Sequence, residues 1–251
     1  MNRNVWNGYF SEDDFPNFVC PTCGRGNLKL LADTFEKKSP QYLANYRSSP
    51  EWDYTMERDQ FSAFIKCDVA SCGEVSVVAG GTEDIEAYDD EQRIILATLL
   101  HPSFIQPAPH IIHVSKNLDQ ATRTHLLKAF ELYWVDLDAS ANRIRSCVES
   151  LLDSLKVPKF NKPARGKKRA KLVLAVRIQR FDNKRPGHKT VLDALRWVGN
   201  VGSHEGSIAR ETLLDGFDLL EFILGELTDN KTANRSALAK RLTEAKGKPK
   251  P

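Results

Sequence analysis

Four of the five cysteines fall in two close pairs, Cys20-Pro-Thr-Cys23-Gly24 and Cys67-Asp-Val-Ala-Ser-Cys72-Gly73. Thiolates are ligands that tetrahedral zinc favours. One short turn delivers two of them to adjacent corners, and a second turn fills the others. The glycine directly after each pair fits this chemistry, because chain leaving such a turn needs positive φ and brings N–H groups close to sulfur. Two disulfides, or four unrelated thiols, are the competing readings. The chain starts Met-Asn-Arg-Asn, shows no apolar secretory segment and contains no run of about 18 apolar residues. It therefore reads as cytoplasmic with no membrane span, a setting in which disulfides are rare. With four protein ligands the expected site is closed: one structural Zn2+, with no open position for a reacting water.

Charge supplies a second candidate surface. The net charge is only +3, yet Lys156 to Lys189 holds 13 lysines and arginines against one acid, Asp182, which leaves 23 basic and 32 acidic residues elsewhere. The tail from Lys231 adds seven basic residues against Glu244. Such asymmetry points to a polyanion partner, RNA or DNA, docking on Lys156 to Lys189. It also fits a protein partner, or the chain's own run Glu83, Asp84, Glu86, Asp89, Asp90 and Glu91, as within a homodimer. A solvated basic loop is the bland alternative.

These groups need elements to hold them. The 251 residues are 41% hydrophobic, enough for one large domain or two modest ones. Residues 1–115 lack helical periodicity. Short β-branched and aromatic runs at Phe61 to Lys66, Glu74 to Ala79, Arg93 to Leu100 and His110 to Val114 predict a small antiparallel sheet of zinc-ribbon type carrying the cysteine pairs. Tyr42, Tyr46, Trp52 and Tyr54 predict that the long insert between the pairs packs down. Pro102, Pro107 and Pro109 then mark an extended connection.

Residues 116–230 turn helical. Leu126, Leu127, Phe130, Tyr133 and Trp134 share one face. Asp138 is a candidate N-cap for the next helix, whose stripe Ala141, Ile144, Cys147, Val148, Leu151, Leu152 and Leu155 makes Cys147 a core residue. A short helix over Leu172 to Phe181 with arginines outward follows. A further helix over Val191 to Val198 stops at Gly199, and a last one carries Leu213 to Leu227. The fold class is thus α+β, a small sheet followed by a bundle of four or five helices, with a basic, disordered tail at 231–251. No Walker A, GxGxxG, nucleophile-elbow or HExxH pattern is present, and His110 and His113 read as ordinary strand side chains.

Between the last two helices lies Leu195-Arg196-Trp197-Val198-Gly199-Asn200-Val201-Gly202-Ser203-His204, read as a polar turn. Its LRxxGNxxxH pattern, the Asp138 to Glu149 helix with Arg145 and Glu149, the CPxCG pair and the second pair followed by Gly-Glu together resemble a bacterial family known as domain of unknown function 4145. The resemblance runs from about Pro16 to Leu227. That family is similar to HEPN helical domains, many of which are metal-independent ribonucleases that dimerise across this turn and occur in defence and toxin–antitoxin systems.

The resemblance implies a HEPN-like bundle, a homodimer and RNA as substrate or ligand. His204 would move a proton, Arg196 would stabilise charge on phosphoryl oxygens, and Asn200 would orient them. The HEPN nuclease motif places four to six residues between Arg and His, whereas seven separate Arg196 from His204. A structural role for this turn, or ligand binding without cleavage, stays open beside catalysis. So does a non-catalytic adaptor that docks nucleic acid or a partner enzyme. Arg145 and Glu149 read either as a surface ion pair or as a buried pair holding the turn.

Overall fold

A computed structural model describes residues 3–88, 91–162, 169–204 and 207–246, with backbone alone for 202–204. Asp89, Asp90, Arg165, Lys167 and Lys168, which belong to the acidic and basic runs, lie outside the described residues, as does the end of the tail. The chain forms two compact units, one of Met1–Ile111 with Leu127–Ser140 and one of Ile112–Leu126 with Ala141–Pro251. With a sheet in the first half and helices in the second, the fold is α+β.

The first unit is built on an antiparallel sheet ordered β1 (Phe18–Val19), β2 (Asn27–Leu30), β4 (Gln60–Cys67), β5 (Val75–Tyr88) and β6 (Ile94–Gln106), with β3 (Glu36–Lys38) also pairing β4. Strand β4 alternates strictly between exposed and buried residues, as a pleated ribbon with one covered face must. Its inward set is Phe61, Ala63, Ile65 and Cys67. Elsewhere in the core, Trp6 meets Phe18, Tyr133 and Trp134, and Phe18 meets Trp134, edge-on or tilted, with centroids 5.2–5.8 Å apart, and the Tyr133 hydroxyl donates to the Trp6 carbonyl.

Several expectations change here. Strand β5 runs on through Gly80 and Gly81 into the acidic run, so Glu83, Asp84 and Glu86 are strand residues. Pro102 lies within β6 rather than in a connection, opposite a register shift at Ala79/Gly80. A proline is tolerated there because β6 is a sheet edge, where an N–H can be missing. His110 to Val114 forms no strand. Pro107 and Pro109 offer no ladder donors just before it, and the segment is fixed instead by burying Ile111 and Ile112. In the insert, Tyr42 and Tyr46 of α1 (Gln41–Tyr46) are exposed, and Leu43 is the residue that anchors it.

Helix α2 (Gln120–Val135) starts from Asp119, whose carboxylate accepts from the N–H groups of Ala121 and Thr122, each at 3.1 Å, and from the Thr122 hydroxyl at 2.5 Å. Burial alone would raise the Asp119 pKa, but those donors outweigh it and hold the carboxyl below its usual value. Helix α3 (Leu137–Ser154) begins slightly earlier than expected. Asp136, not Asp138, supplies the cap by accepting from Ala139 N–H at 2.9 Å.

Helices α4 (Leu174–Asp182), α5 (Lys189–His204) and α6 (Arg210–Thr228) follow. The buried stripe of α6, from Leu213 to Leu227, matches expectation. The chain after Asn230, expected to lack order, forms α7 (Lys231–Glu244), a helix with no buried residue. Its Ala, Leu, Lys and Arg content favours helix even without a packed face.

Candidate functional site

The first cysteine pair occupies the β1–β2 turn and the second occupies the β4–β5 turn. Because β2 pairs with β4, with Leu28 opposite Cys67, both turns emerge at the same end of the sheet. Asp68 clasps them together: its N–H donates to the Asn27 carbonyl at 3.0 Å, and its carboxylate accepts from Asn27 N–H at 2.9 Å. Thr22 adds a hydroxyl bond to the Glu74 carboxylate. Gly24 and Gly73 adopt φ of +61° and +58°, the left-handed conformation expected after each turn.

The four sulfurs lie within 4.8 Å of one another. Cys20 is 3.8 Å from Cys72 and Cys23 is 3.7 Å from Cys67, and none is in a disulfide. This cage could hold one metal ion. Its thiols are not equivalent. Burial pushes Cys67 up to about 12 and raises Cys20. The N–H groups of Gly26 and Arg25 bring Cys23 down to about 6, the Gly26 nitrogen lying 3.4 Å from its sulfur. Nothing local in the sequence marks Gly26. A Cβ there would sit 2.6 Å from Cys67 Sγ and 2.6 Å from Asp68 Oδ1, a clash that only the pairing of distant turns creates.

In the second unit the expected polar turn is helix. Helix α5 passes straight through Gly199 to His204. Gly199 is required for a different reason than a stop: a Cβ would lie 2.4 Å from Arg145 Cβ and 3.1 Å from the Ala141 carbonyl. The missing side chain lets α5 run against α3. Asn200, one residue on, accepts from Arg145 Nη1 through its side-chain oxygen. Arg145 Nε also lies 3.3 Å from Glu149, the pair being 28% and 37% exposed. It is therefore a half-buried pair that reaches across to α5.

Arg196 is tied along its own helix. Its Nε donates to Asp193 at 3.1 Å and its guanidinium lies 4.2 Å from the ring centroid of Trp197, which is exposed. Arg196, Asn200 and His204 share one stripe at four-residue spacing. With a rise of about 1.5 Å per residue, the backbone places the first and last about 12 Å apart. The side chain of His204 lies outside the described residues, so the structure brings together Asn200 and Arg145 but describes no meeting of Arg196 with His204.

Arg177 corrects a further expectation. It is 5% exposed rather than outward. Nη2 donates to Asp153 Oδ1 at 2.6 Å and to the Val157 carbonyl at 3.3 Å, and Nη1 to the Glu149 carbonyl at 3.4 Å. The signal is present in the sequence: Leu174, Arg177, Ile178 and Phe181 fall on one helical stripe, and charge alone argues for the outside. Cys147 is fully buried, and burial together with the charge of Asp119 raises its thiol to about 12, as suits a core residue.

Residues 127–245 match the family model described as Domain of unknown function (DUF4145), and residues 8–105 match a second, Domain of unknown function (DUF8608). The resemblance read from Arg145, Glu149 and the Gly199 to His204 pattern is thus supported over the helical region. It does not extend across the cysteine pairs, which fall in the other match. Neither the curated proteins nor the solved structures contain a match. Among the described residues, no helix is long and apolar enough to cross a membrane.

Proposed function

We propose that this protein binds nucleic acid, RNA in particular, through a HEPN-like helical region, while Cys20, Cys23, Cys67 and Cys72 hold one structural zinc ion of zinc-ribbon type. The observation that carries the binding role is the concentration of 13 basic residues between Lys156 and Lys189 in a chain otherwise rich in acids. Trp197 supports it: an exposed ring backed by a guanidinium offers a face on which a base can stack. Zinc is favoured because sulfurs about 2.3 Å from a tetrahedral ion lie about 3.8 Å apart. The Cys20–Cys72 and Cys23–Cys67 separations of 3.8 Å and 3.7 Å have that size. Such an ion supplies a cross-link between two turns and offers no open position.

Binding of a labelled single-stranded RNA, followed by anisotropy across a salt series, tests this role. The logarithm of affinity should fall linearly with the logarithm of salt concentration. Lys184→Glu with Arg185→Glu should lower the slope by about 0.7 for each phosphate that is no longer neutralised. Binding that ignores salt would overturn it and turn attention to a protein partner.

A second reading is a metal-independent endoribonuclease of a defence or toxin system, working as a homodimer. Its support is the common stripe of Arg196, Asn200 and His204 on α5. Arg196 would stabilise phosphoryl charge, Asn200 would orient and His204 would serve as acid or base. RNA cutting in EDTA should vanish in His204→Ala; undiminished cutting in that variant would sink the assignment.

A further inference from the structure

We infer that the second unit contains a pocket for a phosphomonoester group, organised around the buried guanidinium of Arg177 and distinct from the Arg196–His204 stripe. Beneath α3 and the start of α4 is a cavity of about 380 Å³, within the range of about 300–1,000 Å³ that holds small ligands. Its polar wall consists of Arg145, Lys159, Lys171 and Arg177 with Glu149 and Asp153.

Three independent features make this wall an anion site. Arg177 Nε is buried and has no acceptor, although the two terminal nitrogens are satisfied. Leaving a buried charged donor unpaired costs about 1–3 kcal/mol or more, so this lining residue keeps one N–H unsatisfied that an anion oxygen entering beside it would stabilise. Charge is also unbalanced. Asp153 serves two cations, with Oδ1 on Arg177 and Oδ2 2.6 Å from Lys159 Nζ, and Glu149 serves Arg145. Lys171 has no carboxylate partner among the described residues, so four cations face two carboxylates.

The third feature is the backbone. Val173 and Leu174 line the cavity where α4 begins, and Val173 makes no side-chain cap bond. A nine-residue helix turns its unpaired N–H groups and the positive end of its dipole toward that end.

The excess of two positive charges selects among anions. A phosphomonoester carries close to two negative charges near neutral pH, whereas an internal phosphodiester of RNA carries one. Apolar side chains of Leu172, Val173 and Leu174 on the same wall suit an organic body attached to the phosphate. The same group could arrive on a mononucleotide or on the 5′ end of an RNA.

The full-chain protein, labelled with ¹⁵N, tests this directly. The Nε–Hε resonance of Arg177, assigned by its loss in Arg177→Lys, is followed during titration with adenosine 5′-monophosphate, adenosine, and a short RNA with or without a 5′-phosphate. A saturable shift with the monophosphate establishes the pocket and a mononucleotide source. A shift only with the phosphorylated RNA establishes it for a chain end. Equal responses to phosphorylated and unphosphorylated probes, or no response to any, would overturn the proposal. Lys171→Glu, at an exposed position, should weaken the response at least about tenfold, the effect of removing one charge-assisted hydrogen bond. Arg185→Glu, outside the cavity, should leave the adenosine 5′-monophosphate response unchanged while weakening RNA binding at large, so failure of this pocket and failure of the nucleic-acid role give different results.

Discussion

The four-cysteine corner of the sheet and the Arg145–Asn200 junction of the helices are both places where distant segments are clamped, yet they are encoded differently. At the corner each half of the clamp is local: two sulfurs within a few residues, a left-handed glycine after them, and one strand pairing that joins the halves. At the junction the partners are 55 residues apart. What makes their approach possible is an absence, the missing side chain of Gly199. A clamp made of ligands announces itself by residue type. A clamp made of close packing is recognised only when the opposing surface is known.

Removing the metal should separate the two most strongly. We expect about one zinc per chain by elemental analysis. Chelation, or Cys67→Ala, should abolish hydrogen-exchange protection in 18–30 and 60–67 while residues 144–151 keep theirs. Zinc contributes about 10–16 kcal/mol in small peptides, so a metal-free protein with full protection in the sheet would erase the distinction.

Gly199→Ala is sharper, because its sign decides. At an unhindered helix position alanine stabilises by about 0.5–1 kcal/mol relative to glycine. With a Cβ forced to 2.4 Å from Arg145 Cβ, we expect destabilisation by about 1–3 kcal/mol from overpacking, read as a lower urea midpoint with unchanged slope. A more stable variant would show the junction to be loose.

The smallest expected effect is at Asp119, a local clamp within the helical region. Its folded pKa is depressed, so its contribution is complete above the unfolded carboxylate value and is lost as pH falls through the folded one. Asp119→Ala should cost about 1 kcal/mol at neutral pH and less in acid. Stability curves for the two proteins should therefore converge as pH falls below the ordinary carboxylate range and through the depressed folded value. Parallel curves would mean that the cap carries no charge-dependent stability.

Much of the architecture is legible in the residues. The alternation in β4, the buried stripes of α3 and α6 and the core position of Cys147 follow from period and residue type. What is not legible shares one cause. Charge argues that Arg177 belongs outside, but Asp153 and two carbonyls accept it inside. Glycine often ends helices, but at Gly199 the neighbouring helix needs the space. Proline suggests a connector at Pro102, whereas the edge position that tolerates it is a property of the sheet.

The sequence by itself determined the four cysteines that could hold a metal ion, the division into a strand-rich and a helix-rich half, and the basic concentration at Lys156 to Lys189. Each is local in the chain, set by residue type, short spacing or periodicity. Only the tertiary structure decided that Asp68 clasps the two cysteine turns, that α5 runs unbroken to His204, and that Arg177 lies buried beside a cavity with an unsatisfied N–H. Those outcomes depend on which surfaces meet, because steric contact and the pairing of buried polar groups act between residues brought together by the fold.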